Sequence, residues 1–413
     1  MSARSDALLV GEPPPPHRLP TLTALRFAAA LAVFLFHAFL ITDPLRPRAP
    51  LGFFADPRLA AALAHITSKA GYAGVSFFFV LSGFVLTWSA RDGERPAAFW
   101  RRRLARIYPS HLAMWAAAAL LFAWACPVRV WLPNLLLVHA YSPDPNINSG
   151  MNMPSWSLCC EVLFYLLFPL LHRAVRCLPD RALRPALAAV LLVAAAVAGA
   201  DAALLPSYPR IPQLPVSLDQ LWFGYLFPPA RLPEFVLGML LARAVAAGLA
   251  PRIPLAPAAL LVAPAYALTL AVPSPYDFVL PMALPIALVI CAAAHRDLHR
   301  GGPRPAPRRL AQWLGGVSFG FYLCQGVVLF HGRPLVLGDR TYPTPIAVLL
   351  TLAAFAATLA AGALVHTLVE RPAVRRLARR RGTAGGEVDR LRPCRAGTDR
   401  GDSPPPSSRS STS

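Results

Sequence analysis

Ten apolar stretches occupy most of this chain, and each is long enough to cross a membrane as a helix. A membrane-spanning helix needs about 20 mainly apolar residues, and the first stretch is too long for a signal-peptide core. The chain is 56% hydrophobic and 15% charged, with a mean hydropathy of +0.48, which excludes an ordinary soluble domain. The sequence therefore predicts an all-α, polytopic integral membrane helix bundle of about ten transmembrane helices. The stretches lie near residues 21–42, 71–90, 107–126, 156–172, 185–205, 231–249, 257–273, 276–294, 310–332 and 346–368.

The distribution of basic residues predicts the orientation of this bundle. With the N-terminus inside, the inside loops and tails hold most of the 40 Lys and Arg residues, so both termini are expected to be cytoplasmic. The apolar stretch 131–141 is too short to span and is predicted to be an outer-face or re-entrant element. Topology and contacts with anionic membrane lipids account for the net charge of +20, so no nucleic-acid partner is expected.

The two ends of the chain differ in composition from the membrane part. Residues 1–18 are Pro-rich and residues 381–413 are rich in Gly, Pro, Ser and Arg, which is typical of disordered tails. The transmembrane domain is accordingly expected over residues 19–380. The seven cysteines include no C-x-x-C pair, and we expect neither a disulfide framework nor a metal site.

Two ionisable residues share one face of the first predicted helix. Arg26 and His37 are eleven residues apart, which places them on the same face and about 16 Å apart along the axis. Charged groups are costly in hydrocarbon, so such residues usually face a bundle interior and have a function there. The alternative is that Arg26 extends to the cytoplasmic interface while His37 hydrogen-bonds to a neighbouring backbone.

Further polar residues are predicted at the depth of His37, in the outer third of the membrane. These are Glu161, Glu234 and Gln325, and together with His37 they predict a polar chamber. A carboxylate beside a histidine raises the basicity of the imidazole, so Glu161 could support His37 as a general base. The alternatives are a structural ion pair at Glu161 and pairing of Glu234 with Arg231.

A cluster of arginines precedes the third predicted helix at the opposite face of the membrane. Arg103 and Arg106 are three residues apart and would be neighbours on a helix. The guanidinium group offers forked donors that match phosphate oxygens, so coenzyme A is a natural ligand. A purely topological role of these arginines, under the positive-inside rule, explains them equally well.

Several motifs stand in a fixed order along the chain. They are Leu25-Arg26-Phe27 through His37, the run from Gly74 to Phe84, Arg103-Leu104-Ala105-Arg106-Ile107-Tyr108-Pro109, Pro154-Ser155-Trp156-Ser157-Leu158 followed by Glu161 and Phe164-Tyr165, Arg231-Leu232-Pro233-Glu234-Phe235, and Val369-Glu370-Arg371-Pro372. Together they resemble the motifs of the membrane-bound acyltransferase family 3, the O-acyltransferases that modify surface sugars, antibiotics and related acceptors. The resemblance covers roughly residues 19 to 380.

This resemblance implies an acyltransferase of the cell membrane. It would transfer an acyl group from cytoplasmic acyl-CoA, as a substrate and not a bound cofactor, to a hydroxyl of a carbohydrate, a glycolipid or a secreted natural product. The family pattern implies that His37 is the catalytic residue and Glu161 a supporting acid. It also implies that Arg26, Arg103 and Arg106 bind the donor.

Other site residues are expected to support this chemistry. The family pattern Ser-x-x-Tyr-Leu-x-His occurs as Ser318-x-x-Tyr322-Leu-x-Gln325, and glutamine cannot exchange a proton near neutral pH. Trp156 belongs to the Trp-Ser-Leu element. The Ser82 hydroxyl and the amide of the glycine after it are candidate oxyanion donors.

A membrane transporter or flippase is the main alternative. Pro264, Pro281 and Pro285 interrupt apolar stretches, and such interruptions with polar groups at membrane depth also mark translocation paths. The ordered motifs and the lack of a detectable inverted repeat favour the enzyme.

Overall fold

The computed structural model describes residues 19–377 except 45, 92, 122–125, 212–215 and 300–305. The two predicted disordered tails lie outside the described residues. The α-helices are α1 Pro20–Ala38, α2 Pro57–Thr67, α3 Ala70–Trp88, α4 Pro96–Leu121, α5 Val128–Leu135, α6 Pro145–Asn148, α7 Trp156–Cys177, α8 Leu183–Leu204, α9 Leu218–Leu221, α10 Leu232–Ala246, α11 Leu255–Leu260, α12 Val262–Ala271, α13 Leu280–His299, α14 Ala306–Gln325, α15 Arg333–Leu337, α16 Thr344–Val365 and α17 Arg371–Leu377.

The fold is a multi-pass helical membrane bundle, as predicted. Within the described ranges, seven helical segments are long and apolar enough to cross a bilayer. The other three predicted spans are also helical, but α4 carries an arginine cluster, α10 has 15 residues, and the stretch 255–271 is divided into α11 and α12. The count of ten therefore stays a prediction. The seven segments are Pro20–Ala38, Pro57–Trp88, Met153–Cys177, Asp180–Leu204, Tyr276–His299, Arg309–Leu337 and Thr344–Arg376.

A short antiparallel hairpin follows α1. Its strands are β1 Thr42–Asp43 and β2 Arg46–Pro50. The buried guanidinium of Arg333 donates hydrogen bonds to the carbonyl oxygens of Gly52 and Gly338, at 3.2 and 2.8 Å. The loop after the hairpin is thereby tied to the loop after α15, at the end of the bundle nearest His37.

Glycines bring α3 and α10 into very close contact. A Cβ atom on Gly83 would overlap the carbonyl oxygen of Phe235, and one on Gly238 would overlap the carbonyl oxygen of Val80. Membrane helices use small residues in this way because the helices then gain van der Waals contact along their backbones. These contacts fix α3 and α10 as a tightly packed pair.

Helix α1 packs between α3 and α14. Gly315 of α14 lies against the backbone of Thr23, and Gly71 of α3 lies against the ring of Phe36. The two contacts show that α3 runs antiparallel to α1 and that α14 runs parallel to it. His37 is therefore level with the start of α3 and with the end of α14.

The chain between α4 and α7 returns into the bundle. The Tyr108 hydroxyl donates to the carbonyl oxygen of Leu135 at 2.9 Å, and His111 Nε2 lies 2.9 Å from the carbonyl oxygen of Asn134. Tyr108 and His111 are in the middle of the 26-residue helix α4. Of the two predicted alternatives for the stretch 131–141, an outer-face or a re-entrant element, these contacts match the re-entrant one.

Helix α7 consequently begins inside the bundle rather than at its outer surface. The ring of Trp156, its first residue, packs edge-on against Phe79, which lies in the middle of α3. It also packs against Tyr225, with the ring centroids 4.8 Å apart. Residues that follow Trp156 are therefore deeper in the membrane than a count from the outer surface predicts.

Candidate active site

The side chain of His37 pairs with Gln325. His37 Nδ1 lies 3.0 Å from Gln325 Oε1, and the Gln325 side chain has no exposed surface. Gln325 Nε2 in turn donates to the carbonyl oxygen of Tyr322 at 2.9 Å. Two residues predicted at the same depth are thus brought together, each on a different helix.

Aromatic rings enclose His37 beside this hydrogen bond. The ring of Phe330 meets the imidazole edge-on at a centroid distance of 5.2 Å, and Phe36 lies 5.1 Å away. His37 is 5% exposed. The imidazole is therefore buried and held in place, as a site that excludes most water requires.

Glu161 does not pair with His37, contrary to the prediction. Its carboxylate accepts a hydrogen bond from the Tyr165 hydroxyl at 2.8 Å. The charged groups that act on Glu161 are Arg26, Arg103 and Arg106, at the other end of α1 from His37. The alternative prediction, that Glu161 is a structural partner of charged residues, describes its position better than a role beside His37 does.

The re-entrant chain before α7 explains this correction. The prediction placed the start of α7 at the outer surface, but Trp156 lies in the middle of the bundle, and Glu161 is deeper still. The Trp100 indole donates to the carbonyl oxygen of Tyr165 at 2.9 Å, at the arginine-bearing end of α4. Glu161 therefore belongs to the level of the arginines.

Arginines from two helices gather at this end of the bundle. Arg106 and the carboxylate of Glu370 act electrostatically on Arg26, and the guanidinium of Arg103 lies 5.4 Å from the ring of Phe99. Arg102, which lies before the apolar part of α4, pairs with Glu94. Desolvation by burial and the nearby Arg91 lower the pKa of Arg102.

A small cavity lies between Arg26 and Tyr322. It has a volume of about 40 Å³. Its polar lining comes from Arg26, Ser157, Glu161 and Tyr322, and its apolar lining from Val75, Phe78, Phe79, Leu158 and Phe319. Because Tyr322 is one turn from Gln325 on α14, the cavity ends about one turn short of the partner of His37.

Comparisons with known proteins identify the family of this chain. The family Acyl_transf_3, described as an acyltransferase domain, matches residues 19–366. The chain belongs to this family. Acyltransferase MdmB of Streptomyces mycarofaciens is 41% identical over 387 residues, which cover 90% of this chain and 96% of that protein. The exopolysaccharide production protein ExoZ of Rhizobium meliloti (strain 1021) is 29% identical over 355 residues, 78% of this chain and 98% of the relative.

No solved structure matches the chain significantly. Membership of Acyl_transf_3 makes this protein an acyltransferase that transfers groups other than amino-acyl groups. The transporter alternative is not favoured.

In this Acyl_transf_3 member Glu234 pairs with Arg231. This is the alternative given for Glu234, and it replaces the predicted polar chamber shared with His37. The Arg231 Nε atom lies 2.9 Å from Glu234 Oε2, and both side chains are buried. Arg231 also donates to the Ser76 hydroxyl at 3.3 Å, and its guanidinium lies 4.8 Å from the ring of Tyr225. A buried charge of this kind needs such partners, and Glu234 is therefore placed in a charge pair of its own.

Ser82 lies far from His37, so the oxyanion role predicted for it does not fit the structure. The two helices are antiparallel, and Gly71 is the α3 residue that meets Phe36. Ser82 is eleven residues further along α3, about 16 Å away. Gly83 is one residue further along α3, and its Cβ position lies against α10 rather than against the histidine.

The other predicted supporting residues lie along α14 and α7. The Tyr322 hydroxyl is 2.8 Å from the Ser157 hydroxyl and donates to the carbonyl oxygen of Pro154 at 3.0 Å. Ser318 donates to the carbonyl oxygen of Gly315 within α14. Trp156 is an aromatic packing residue at the start of α7. Tyr322 alone among these three lines the cavity.

Sequence reasoning gave no role to four residues near the arginines. Ser157 and Tyr165 contact the cavity or Glu161, and His366 Nδ1 lies 2.8 Å from Glu370 Oε2. The signal for Ser157 and Glu370 was present, because both lie within motifs of the family resemblance. In the part of the chain that the structure describes, no group of three or more His, Cys, Asp or Glu side chains could hold a metal ion.

Proposed function

We propose that this protein transfers an acyl group from acyl-CoA to a hydroxyl of a carbohydrate, a glycolipid or a secreted natural product, in the cell membrane with both termini cytoplasmic. The observation that carries the proposal is that α1 has the buried His37 at one end and Arg26, in an arginine group, at the other. A cavity lies between these levels. This is the arrangement that a long donor with a phosphate end and a reactive thioester end requires.

The donor would bind along α1. Its phosphates would be held by Arg103, Arg106 and Arg26, since guanidinium groups form paired hydrogen bonds with phosphate oxygens. The pantetheine arm would follow the cavity, where Ser157 and Tyr322 offer hydroxyl groups to its amides. A volume of about 40 Å³ is too small for the arm, so donor binding requires the lining side chains to move apart.

His37 would act on the acceptor hydroxyl at the other end. Its Nε2 atom accepts the hydroxyl proton as the hydroxyl oxygen forms a bond to the thioester carbonyl carbon. The carbon–sulfur bond then breaks, and the CoA thiolate receives the proton from Nε2. A route in which His37 Nε2 first takes the acyl group and then passes it to the hydroxyl uses the same atom.

The names of the relatives support acyl transfer and, for one of them, a carbohydrate acceptor. One is named as an exopolysaccharide production protein and the other as an acyltransferase. The hairpin and the loop held by Arg333 lie at the His37 end, so an acceptor would approach the imidazole past these loops.

The test is an acyl-transfer assay with the purified protein in nanodiscs. Acetyl-CoA labelled in the acetyl group would be supplied with oligosaccharides, a glycolipid and a glycosylated natural product, and both free CoA thiol and labelled acceptor would be measured. We expect transfer by the wild-type protein and a loss of at least about 100-fold in His37→Ala. Thr358→Val is the control, because it removes one buried hydrogen bond in α16, away from the site.

Two results would contradict the proposal. One is full transfer activity in a folded His37→Ala protein, which would remove the histidine from the chemistry. The other is a wild-type protein that turns over no acyl-CoA with any acceptor class while accepting a different acyl donor.

A further inference from the structure

The hydrogen bond between His37 and Gln325 carries an inference about how the imidazole is kept ready for the reaction. We propose that Gln325 is a positioning residue that holds His37 in one tautomer, the one with hydrogen on Nδ1 and a lone pair on Nε2. The inference rests on the proposed function, because it assigns the atom of His37 that receives the acceptor proton.

The orientation of the Gln325 amide is set by its second partner. One end of the amide faces the Tyr322 carbonyl oxygen at 2.9 Å, and the other faces His37 Nδ1 at 3.0 Å. A carbonyl oxygen cannot donate, so the amide nitrogen must face Tyr322. The opposite orientation would place two acceptor oxygens within 2.9 Å of each other and leave one without a hydrogen. Gln325 Oε1 therefore faces the imidazole.

This orientation determines the tautomer of His37. Gln325 Oε1 can only accept, so Nδ1 must carry the hydrogen. In a neutral imidazole the other nitrogen, Nε2, then has the free lone pair that a general base needs. When Nε2 takes a proton, Nδ1 keeps its hydrogen and the same bond to Gln325 persists. The ring can thus gain and return one proton without any rearrangement of its support.

Glutamine performs this role without titrating. The residue in this position of the family pattern is a histidine, which can itself bind a proton, whereas an amide remains neutral at every pH that the protein meets. The buried amide and the flanking rings of Phe36 and Phe330 leave the imidazole little freedom to turn. Gln325 therefore acts through His37 and does not itself touch the reacting atoms.

Kinetics of three variants test the inference. Gln325→Leu removes the acceptor, and we expect kcat to fall by roughly 10- to 100-fold with KM for acyl-CoA changed less than about twofold, since only the base is affected. Gln325→Glu keeps an acceptor oxygen and should restore kcat to within about tenfold of wild type. Thr358→Val, which removes a buried hydrogen bond of α16, should leave both constants unchanged. Unchanged kcat in a folded Gln325→Leu protein would overturn the inference, and so would equal losses in the Leu and Glu variants.

A spectroscopic measurement on the wild-type protein tests the tautomer without the Gln325 variants. Solid-state NMR of the protein with ¹⁵N-labelled histidine, in lipid and near neutral pH, distinguishes a protonated from an unprotonated ring nitrogen. The His37 signals are those lost in His37→Ala. We expect hydrogen on Nδ1 and a bare Nε2 in the wild type, and hydrogen on Nε2 would overturn the inference. This measurement needs no substrate, so it stands apart from a failure of acyl transfer itself.

Discussion

A charged side chain within a bilayer needs a counter-charge, and Glu161 provides one for three arginines. Its position beside Arg26, Arg103 and Arg106 makes it a partner of the donor end rather than of His37. The Tyr165 hydroxyl holds one carboxylate oxygen at 2.8 Å. At the scale of single residues, the site therefore consists of two separate groups. The arginines and Glu161 lie at one end of α1, and His37 lies at the other.

Replacing Glu161 should affect stability. We expect Glu161→Gln to lower the thermal unfolding midpoint by about 5 °C, because the three arginines lose one carboxylate that acts on all of them. Thermal unfolding of the purified protein, followed by intrinsic fluorescence, measures this shift. Tyr165→Phe is the matched control, since it removes only the hydrogen bond to Glu161 and should cause a smaller shift. An unchanged midpoint together with a loss of kcat would instead return Glu161 to the chemistry.

A prediction about single residues succeeded where it depended only on the spacing of two residues on one helix. The separation of Arg26 and His37 follows from helix geometry alone, and the structure has both on α1. The contact between His37 and Gln325 joins residues 288 positions apart, and only the packing of α1 against α14 reveals it. The depth of Glu161 could not be predicted, because it depends on where the preceding chain enters the bundle.

At the scale of elements, the re-entrant chain between α4 and α7 determines what lies in the site. Asn152, near its end, donates to the carbonyl oxygen of Leu323 on α14 at 3.2 Å. Gly326 lies against the Asn152 side chain, where a Cβ atom would overlap the amide oxygen. The loop before α7 is thereby fastened beside Gln325, and α7 presents Ser157 and Glu161 to the cavity.

The α3–α10 pair should be sensitive to one added methyl group. We expect Gly238→Ala to destabilise the protein by about 1–3 kcal/mol, because its Cβ would overlap the backbone of Val80 and force the helices apart. Gly199→Ala is the control: no atom lies within 4 Å of its Cβ position in α8, so it should be neutral or stabilising by up to about 1 kcal/mol. Unfolding of both variants in mild detergent under added denaturant compares them. Equal stability of the two variants would show that the close contact is absent.

The lengths of the apolar stretches predicted where the helices lie, but not where a helix is interrupted or changes its type. The stretches for α1, α3, α8 and α16 correspond closely to single helices. The stretch 310–332 instead changes from α-helix to π-helix at Gly326, directly after Gln325. Hydropathy contains no information on the hydrogen-bond pattern of the backbone. Neither this change nor the break between α11 and α12 at Leu261 could therefore be predicted from it.

At the scale of the whole molecule, the two ends of the site should respond to different parts of the donor. We expect Arg103→Ala with Arg106→Ala to raise KM for acyl-CoA by at least about tenfold, since charge-assisted hydrogen bonds to phosphate are lost. The same double variant should use an acyl-pantetheine thioester, which has no phosphate, as well as wild type does. Steady-state kinetics with both donors measure the difference.

A matched arginine gives the control for that experiment. Arg102 lies beside Arg103 but pairs with Glu94, so Arg102→Ala should leave KM for acyl-CoA within about twofold of wild type. An equal loss with both donors in the double variant would assign Arg103 and Arg106 to structure or topology rather than to phosphate binding.

The narrow cavity along α1 has a consequence for the energy supply of the cell. A volume of about 40 Å³ holds at most a few water molecules, too few to form a column from Arg26 to His37. In this state the cavity therefore offers ions no water-filled passage along α1. Under the proposed function, a donor from one compartment and an acceptor from the other would meet at a site whose resting state does not dissipate the electrochemical gradient.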